Sequence, residues 1–547
     1  MATAMATSTK RRRPVRVDTS WRFTWRGLLA LAGALQCGVG QAQAVLGPTD
    51  GAGLGQAAAS ADESGTGTRR SAPVAWRLES SVMVSDNLGA RPSAEGKDGG
   101  SMLRVAPGVR YAHRGAQAQW QVDYSLQGQR YVRTEQQGKP FQNNLRASGN
   151  AQFFGSALTL EGQASIAQRT RSAFDVQRTF GESALGETSE VGTLSVGPSL
   201  KWRMGEQWRG RLSHSSTVTR ARGTQTGDAN GQNTQLTLEQ AQRALLTWGA
   251  QFSHQTSNAV EGRDTATTQA RVNLTWKPDV DWSVGGHGGR ERSNLQSTEQ
   301  ATGALYGLNV AWSPTPRTRA QMSGEHRVVG NFHTLSLDHR FSRAAIRLSD
   351  SRTVNQVGFV GGATGTTNYD LIAAQLGTQV SDPVERDLLV RQRLAELGLS
   401  PDALVANGFL SSQPSVSRSR LLGLTYQQQR ALWTLNLTQT RTSRLVAGGL
   451  GSEDLANSAF VQSNSAQGGL TYRLTPMSAV RLQASWQRNE GENAALQRNE
   501  LRTLVVGWQW RLGPSVQVAT GLRHTEFDSP ARPFTENAVL LTVEQRL

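Results

Sequence analysis

The residues through which this chain could do chemistry are eight histidines, one cysteine and a large set of arginines. The histidines (113, 214, 254, 287, 326, 333, 339 and 524) are scattered, and no two have the close spacing by which a helix offers two imidazoles to one metal. His333 and His339, the nearest pair, are six residues apart. There is no Gly-x-Ser-x-Gly elbow, and no acid and base are brought together by spacing. The "GAGLG" at 51–55 resembles a phosphate loop, but no strand pattern precedes it and no lysine follows. Cys37 falls in a segment expected to be removed, which leaves no thiol for catalysis or disulfides. No catalytic residue, cofactor site or metal site is expected, and the chain reads as a non-enzymatic protein.

Arginine carries more information. Alternation sets Arg317, Arg319 and Arg327 opposite Ala320, Met322 and Val328. It does the same for Arg340, Arg347, Arg481 and Arg523 against their apolar neighbours. These seven are expected on the inner face of a sheet. A basic passage there would concentrate anions such as acidic polysaccharide; alternatively, the arginines pair with acids such as Glu325 and Asp338 and stiffen the wall.

The elements that would hold them are strands. In "WQVDYSLQ" Trp120, Val122, Tyr124 and Leu126 share one face, and "LTWGAQF", "YGLNVAW" and "LVVGWQWRL" repeat the period of two. Short turns ("MGEQ" 204–207, "PDVD" 278–281, "SPTP" 313–316, "TPMS" 475–478, "LGPS" 512–515) alternate with long connections at 85–100, 170–189, 220–232, 444–463 and 525–535. This is the pattern of a transmembrane antiparallel outer-membrane β-barrel, all-β, of about 22 strands, with tight periplasmic turns and longer outer loops. A soluble sandwich would bury its apolar faces against a second sheet and has no reason to sort its loops by length. Trp202, Trp208, Trp276, Trp282, Trp312, Tyr472 and Trp510 recur beside successive short turns, as an aromatic girdle at the periplasmic interface would.

Composition agrees. Only 37% of the 547 residues are hydrophobic and mean hydropathy is −0.46, as expected where lipid solvates one face of each strand and a polar lumen takes the other. Basic residues from Lys10 to Arg26 precede the apolar run "GLLALAGALQCGVG" and the small-residue site "AQA", which reads as a secretory signal peptide over 1–44. A membrane anchor is the alternative, and the run is short for one. Its removal leaves 51 basic and 41 acidic residues, a net charge of +10. A pI near 10.8 ordinarily suggests nucleic acid, which export argues against. Residues 45–74 read as a flexible leader and 75–547 as the barrel.

Residues 369–409 break the pattern. Asp382 can cap a helix with Pro383 in its first turn and Glu385 at capping-box-like spacing, while Val384, Leu388, Leu389, Leu394 and Leu397 form an apolar stripe. This helical insertion either caps or enters the lumen as a plug or gate, or is a long surface loop.

The stretch "YGLNVAWSPTPRTRAQMSGEHRVVGNFHTLSLDHRFSRAAIRLSDSRTV" (306–354), then "DPVERDLLVRQRLAELGLSPDALVANGFLSS" (382–412), resembles the PEP-CTERM system-associated outer membrane proteins. "SDNLG" and "LSVGPSLKWRMGEQWRGRLSHSSTV" (194–218) are also similar to that family. The resemblance implies a Gram-negative outer-membrane barrel that accompanies exopolysaccharide production and exosortase-type sorting, and it brings no biochemical activity with it. The expected partners are outer-membrane lipid, an anionic exopolysaccharide and the barrel assembly machinery. Such barrels usually end in an aromatic residue, whereas this chain ends "ENAVLLTVEQRL", at Leu547.

Overall fold

A strand of period two has one apolar and one polar face, and closing many such strands into a cylinder satisfies every ladder group while sorting the faces. The computed structural model describes residues 74–133, 139–176, 188–241, 244–355, 358–360, 390, 408–446, 453–513 and 515–547. All lie in the unit Ala61–Leu547, and none in the unit Met1–Ser60. The expected signal peptide, the leader short of Val74 and most of the helical insertion, including Asp382, Pro383, Glu385, Leu388, Leu389, Leu394 and Leu397, lie outside the described residues.

The first half of the sheet comprises β1 (Val74–Ser85), β2 (Gly100–Arg114), β3 (Ala118–Val132), β4 (Phe141–Phe153), β5 (Leu158–Thr170), β6 (Thr188–Met204), β7 (Trp208–Ala221), β8 (Ala229–Gln240), β9 (Leu246–Ala259), β10 (Thr265–Trp276) and β11 (Trp282–Ser293). It continues through β12 (Ala301–Thr315), β13 (Thr318–Arg327), β14 (Gly330–Arg340), β15 (Ala344–Asn355), β18 (Ser415–Gln427), β19 (Ala431–Arg444), β20 (Phe460–Thr475), β21 (Ser478–Glu490), β22 (Arg498–Arg511), β23 (Val516–Asp528) and β24 (Phe534–Arg546). Between β15 and β18 a separate small ladder joins β16 (Gly358–Val360) to β17 (Phe409–Ser411).

Each of the 22 barrel strands pairs antiparallel with its chain neighbour, and β15 pairs with β18. The sheet closes where β24 returns to β1, with Arg77 opposite Arg546 and Ser85 opposite Ala538. Closure removes the open edges that a spanning sheet cannot leave in hydrocarbon. The even count brings both ends to one rim, where the Leu547 N–H donates to the Trp76 carbonyl at 2.9 Å.

That rim carries the short turns and the opposite rim the loops, as the sequence rhythm predicts. Two of the expected long connections shorten, 220–232 to 222–228 and 525–535 to 529–533, and the β13–β14 connection is only Val328 and Val329. The expected turn at 313–316 is also displaced. The strand continues through a register shift between Trp312 and Thr315, and the turn itself is Pro316 and Arg317. The same design recurs at Thr475–Ser478 after a shift between Arg473 and Thr475. In both, a threonine hydroxyl accepts from the backbone N–H two residues on: Thr315 from Arg317 at 3.3 Å, and Thr475 from Met477 at 3.2 Å. Proline follows that threonine, where its fixed φ suits the turn and no donor is required. Pro314 sits in the irregular stretch, where its missing N–H breaks no ladder.

Outward positions are apolar strand after strand. Val272, Leu274 and Trp276 on β10, Tyr306, Leu308 and Trp312 on β12, and Val539, Leu541 and Val543 on β24 are all exposed. A contiguous apolar exterior of this extent fits hydrocarbon rather than water, so the fold is an outer-membrane-type β-barrel.

Candidate functional site: the lumen and its mouth

The pairing register assigns the inner wall residue by residue. Near the short-turn rim it is basic. On β6 and β7 Lys201 lies opposite Arg211 and Arg203 opposite Arg209. Farther round, Arg319, Arg340, Arg347, Arg473, Arg481 and Arg511 share the inward parity, with Asp338, Glu239, Glu161, Asp123 and Glu544 among the acids at this end. Arg347 meets Asp338 at 3.1 Å and Arg209 meets Glu239 at 3.5 Å. The excess of cations makes this end a positive vestibule.

Halfway along, the wall becomes neutral and polar. Ser215, Thr217, Asn233, Gln255, Thr267 and Gln269 on β7–β10 are among the residues lining a groove of about 380 Å³, bounded at its upper end by Leu295, Val354 and Arg327. Hydroxyls and carboxamides both donate and accept hydrogen bonds, as a hydroxylated chain would require.

Closer to the loop rim the charges are paired. The Arg327 Nε donates to Glu291 at 3.1 Å, and Glu291 is fully buried. Arg271 and His287 share Glu325, at 3.1 and 3.0 Å. Arg523 meets Glu536 at 3.1 Å with both side chains buried, and the Ser85 hydroxyl donates to the same carboxylate at 2.8 Å. Arg327 and Arg523 thus pair with buried carboxylates, while Arg319, Arg340, Arg347 and Arg481 face inward near the short-turn rim. Arg317 departs from the expectation, because it occupies the β12–β13 turn and is exposed there instead of lining the lumen.

The mouth at the loop rim is spanned by loops that fold inward. Leu410 on β17 packs on Val191 and Ala221, inner-wall residues of β6 and β7. Its neighbour Phe409 packs with Ala173, Leu455 and Val461, and Val461 belongs to β20 on the far side of the ring. This described end of the 369–409 segment thus crosses the lumen, and Val390 is fully buried as well. Hydrogen bonds run the same course. Ser412 accepts from the Gly227 N–H at 2.9 Å and donates its own N–H to Glu453 at 2.6 Å. Next along the chain, in the single helical turn Asp454–Asn457, Asp454 accepts from the Ala173 N–H at 2.6 Å and the Ser172 hydroxyl at 2.8 Å. The Ala173 carbonyl accepts from Asn489 on β21 at 2.7 Å. Burial pushes the Glu453, Asp454 and Asp228 carboxyls above their ordinary values, against the lowering effect of the N–H groups they accept from. Nothing in the sequence pairs these residues; a polar "SED" in a loop is the only local signal.

Among the described residues no group of His, Cys, Asp and Glu could hold a metal. His333 Nε2 lies 3.1 Å from the Asp350 carboxylate, which can only accept from it, and His339 meets Thr318 at 2.8 Å, so the nearest histidine pair is divided between separate partners.

The seven expected girdle aromatics lie within a few residues of the short-turn rim at outward-parity positions. Trp282 contacts Trp312 at 5.7 Å between ring centroids, and Trp202 covers Gly210, where a Cβ would strike its ring. Trp76, Trp248, Trp433 and Trp508 share this ring beyond the seven expected; Trp248 stands edge-on to Trp208 at 4.7 Å, and Trp508 lies 4.3 Å from Trp510.

No family model matches the sequence, and no curated protein matches it. Among solved structures, the chain is similar to the siderophore receptor PirA from Pseudomonas aeruginosa (9% identity, TM-score 0.42, covering 88% of this chain and 81% of that one). It is similar to the FrpB iron transporter from Neisseria meningitidis (8%, TM-score 0.44, 86% and 82%) and to a BenF-like porin from Pseudomonas fluorescens Pf-5 (8%, TM-score 0.32, 87% and 99%). The barrel assignment rests on the strand pairing itself.

Proposed function

We propose that the protein is a non-enzymatic outer-membrane conduit for an anionic, hydroxyl-rich polymer, an exopolysaccharide by the resemblance noted in its sequence, moving from the periplasm to the surface. The basic vestibule at the short-turn rim carries this reading. Lys201, Arg203, Arg209 and Arg211 are placed opposite one another at the expense of wall stability, and a passing polyanion offsets that repulsion. The neutral groove above would let the chain slide without tight binding, and the inward loops act as the gate. The aromatic ring sets depth in the membrane, and the sequence's resemblance to PEP-CTERM system-associated outer membrane proteins supports a role beside polysaccharide export.

The spanned mouth favours a second reading, a closed barrel that holds polysaccharide or sorted proteins at the surface. Planar-bilayer recordings separate the two. A variant lacking residues 369–409 should conduct, with anion selectivity read from the reversal potential in a salt gradient, and Arg209→Gln with Arg211→Gln should reduce that selectivity. A non-conducting deletion variant would rule out the conduit, and a cation-selective pore would rule out the polyanion.

A further inference from the structure

On the outer face of the loop rim three arginines stand directly opposite one another on adjacent strands. Arg352 on β15 faces Arg418 on β18, and Arg418 faces Arg441 on β19. One row nearer the apolar band, Arg420 lies between Asp350 and Gln439. Like charges directly opposite in a ladder are destabilising. Among the described residues the acid serving this group is Asp350, which accepts from Arg418 at 2.6 Å and Arg420 at 3.4 Å and meets His333 at 3.1 Å. One carboxylate therefore contacts two of these four arginines and an imidazole. Arg418 and Arg420 keep 44% and 50% of their side-chain surface exposed. Arg441 is held 4.0 Å from the Phe460 ring centroid, and Arg352 lies 5.9 Å from that of Phe332. Immediately towards the short-turn rim the same strands present Leu348, Leu422 and Leu437 in one row.

We propose that this patch binds the phosphate of a phosphorylated glycolipid in the outer leaflet. The acyl chains lie on the leucine surface and the phosphate sits among Arg352, Arg418 and Arg441. Forked guanidinium groups match phosphate oxygens two at a time, and a shared anion turns a repulsive row into a bridged one. The juxtaposition of a cationic row and a leucine row selects an amphiphile over a soluble anion.

Native mass spectrometry of the full chain in non-ionic detergent tests this, with bisphosphorylated lipid A, the same lipid without phosphates, and inorganic phosphate as probes. Only the bisphosphorylated lipid should remain bound. Arg418→Gln with Arg441→Gln should lower its retention by about tenfold or more, and Arg418→Lys with Arg441→Lys, which keeps charge but loses the fork, should fall between. Heat-modifiable migration reports that each variant is folded. Equal retention by a folded glutamine variant overturns the proposal, as does equal binding of the dephosphorylated lipid to the wild-type chain. Displacement of the lipid by millimolar inorganic phosphate would assign the patch to a free anion and overturn the lipid.

Discussion

Glu536 is fully buried at the junction of three strands, taking Arg523 from β23 and Ser85 from β1. Breaking a buried pair by removing one partner strands the other charge, which typically costs about 3–5 kcal/mol. Glu536→Ala should therefore lower the temperature at which the heat-modifiable form is lost, whereas Glu490→Ala, in a more exposed pair with Arg488, should leave it nearly unchanged. The sequence placed Arg523 on the inner face by alternation alone, but its acid and hydroxyl partners could not be read from it, since Ser85 and Glu536 are 451 residues apart. Trp202, Trp276 and Trp312 were legible because position along a strand and distance from a turn are local properties. Arg317 was misread for the same reason: the irregularity after Trp312 moves the turn onto Pro316 and Arg317, and alternation contains no sign of a bulge.

The mouth is where elements distant in sequence meet, and Asp454 joins the β19–β20 connection to the β5–β6 connection. Asp454→Ala leaves the Ala173 N–H without its acceptor, at a cost of about 1–3 kcal/mol if it stays buried, so the variant should open more often and conduct in planar bilayers more than wild type does. The carboxyls of Glu453 and Asp454 are raised by burial, with Asp175 adding to the shift at Asp454. A raised carboxyl means that the folded mouth binds more protons than an opened one above the ordinary values of 4.5 and 3.8. Closure therefore strengthens as pH falls through the raised values and weakens as pH rises past them. Conductance should be lower at pH 4.5 than at pH 7.5, and Glu453→Gln with Asp454→Asn should flatten that difference. None of this network was visible beforehand, because loop contacts carry no periodicity. What the sequence did show, a break in alternation before Phe409, marks the segment whose end crosses the lumen.

For the whole molecule, the strand number, the sorting of turns and loops to opposite rims and the closure all follow from one repeated local rule, and they were legible for that reason. The seam obeys the same rule at its end. Val539, Leu541 and Val543 keep the outward register along β24 to the seam, where it pairs with β1. That pairing also sets the order of events in folding. The ring cannot close until segments from the two ends of the sheet are available at once, and until then β1 and β24 each expose a full ladder of unpaired donors and acceptors. Every partly built sheet is thus a sticky ribbon, and survival of the protein in transit depends on how long those two edges can be kept from other partners.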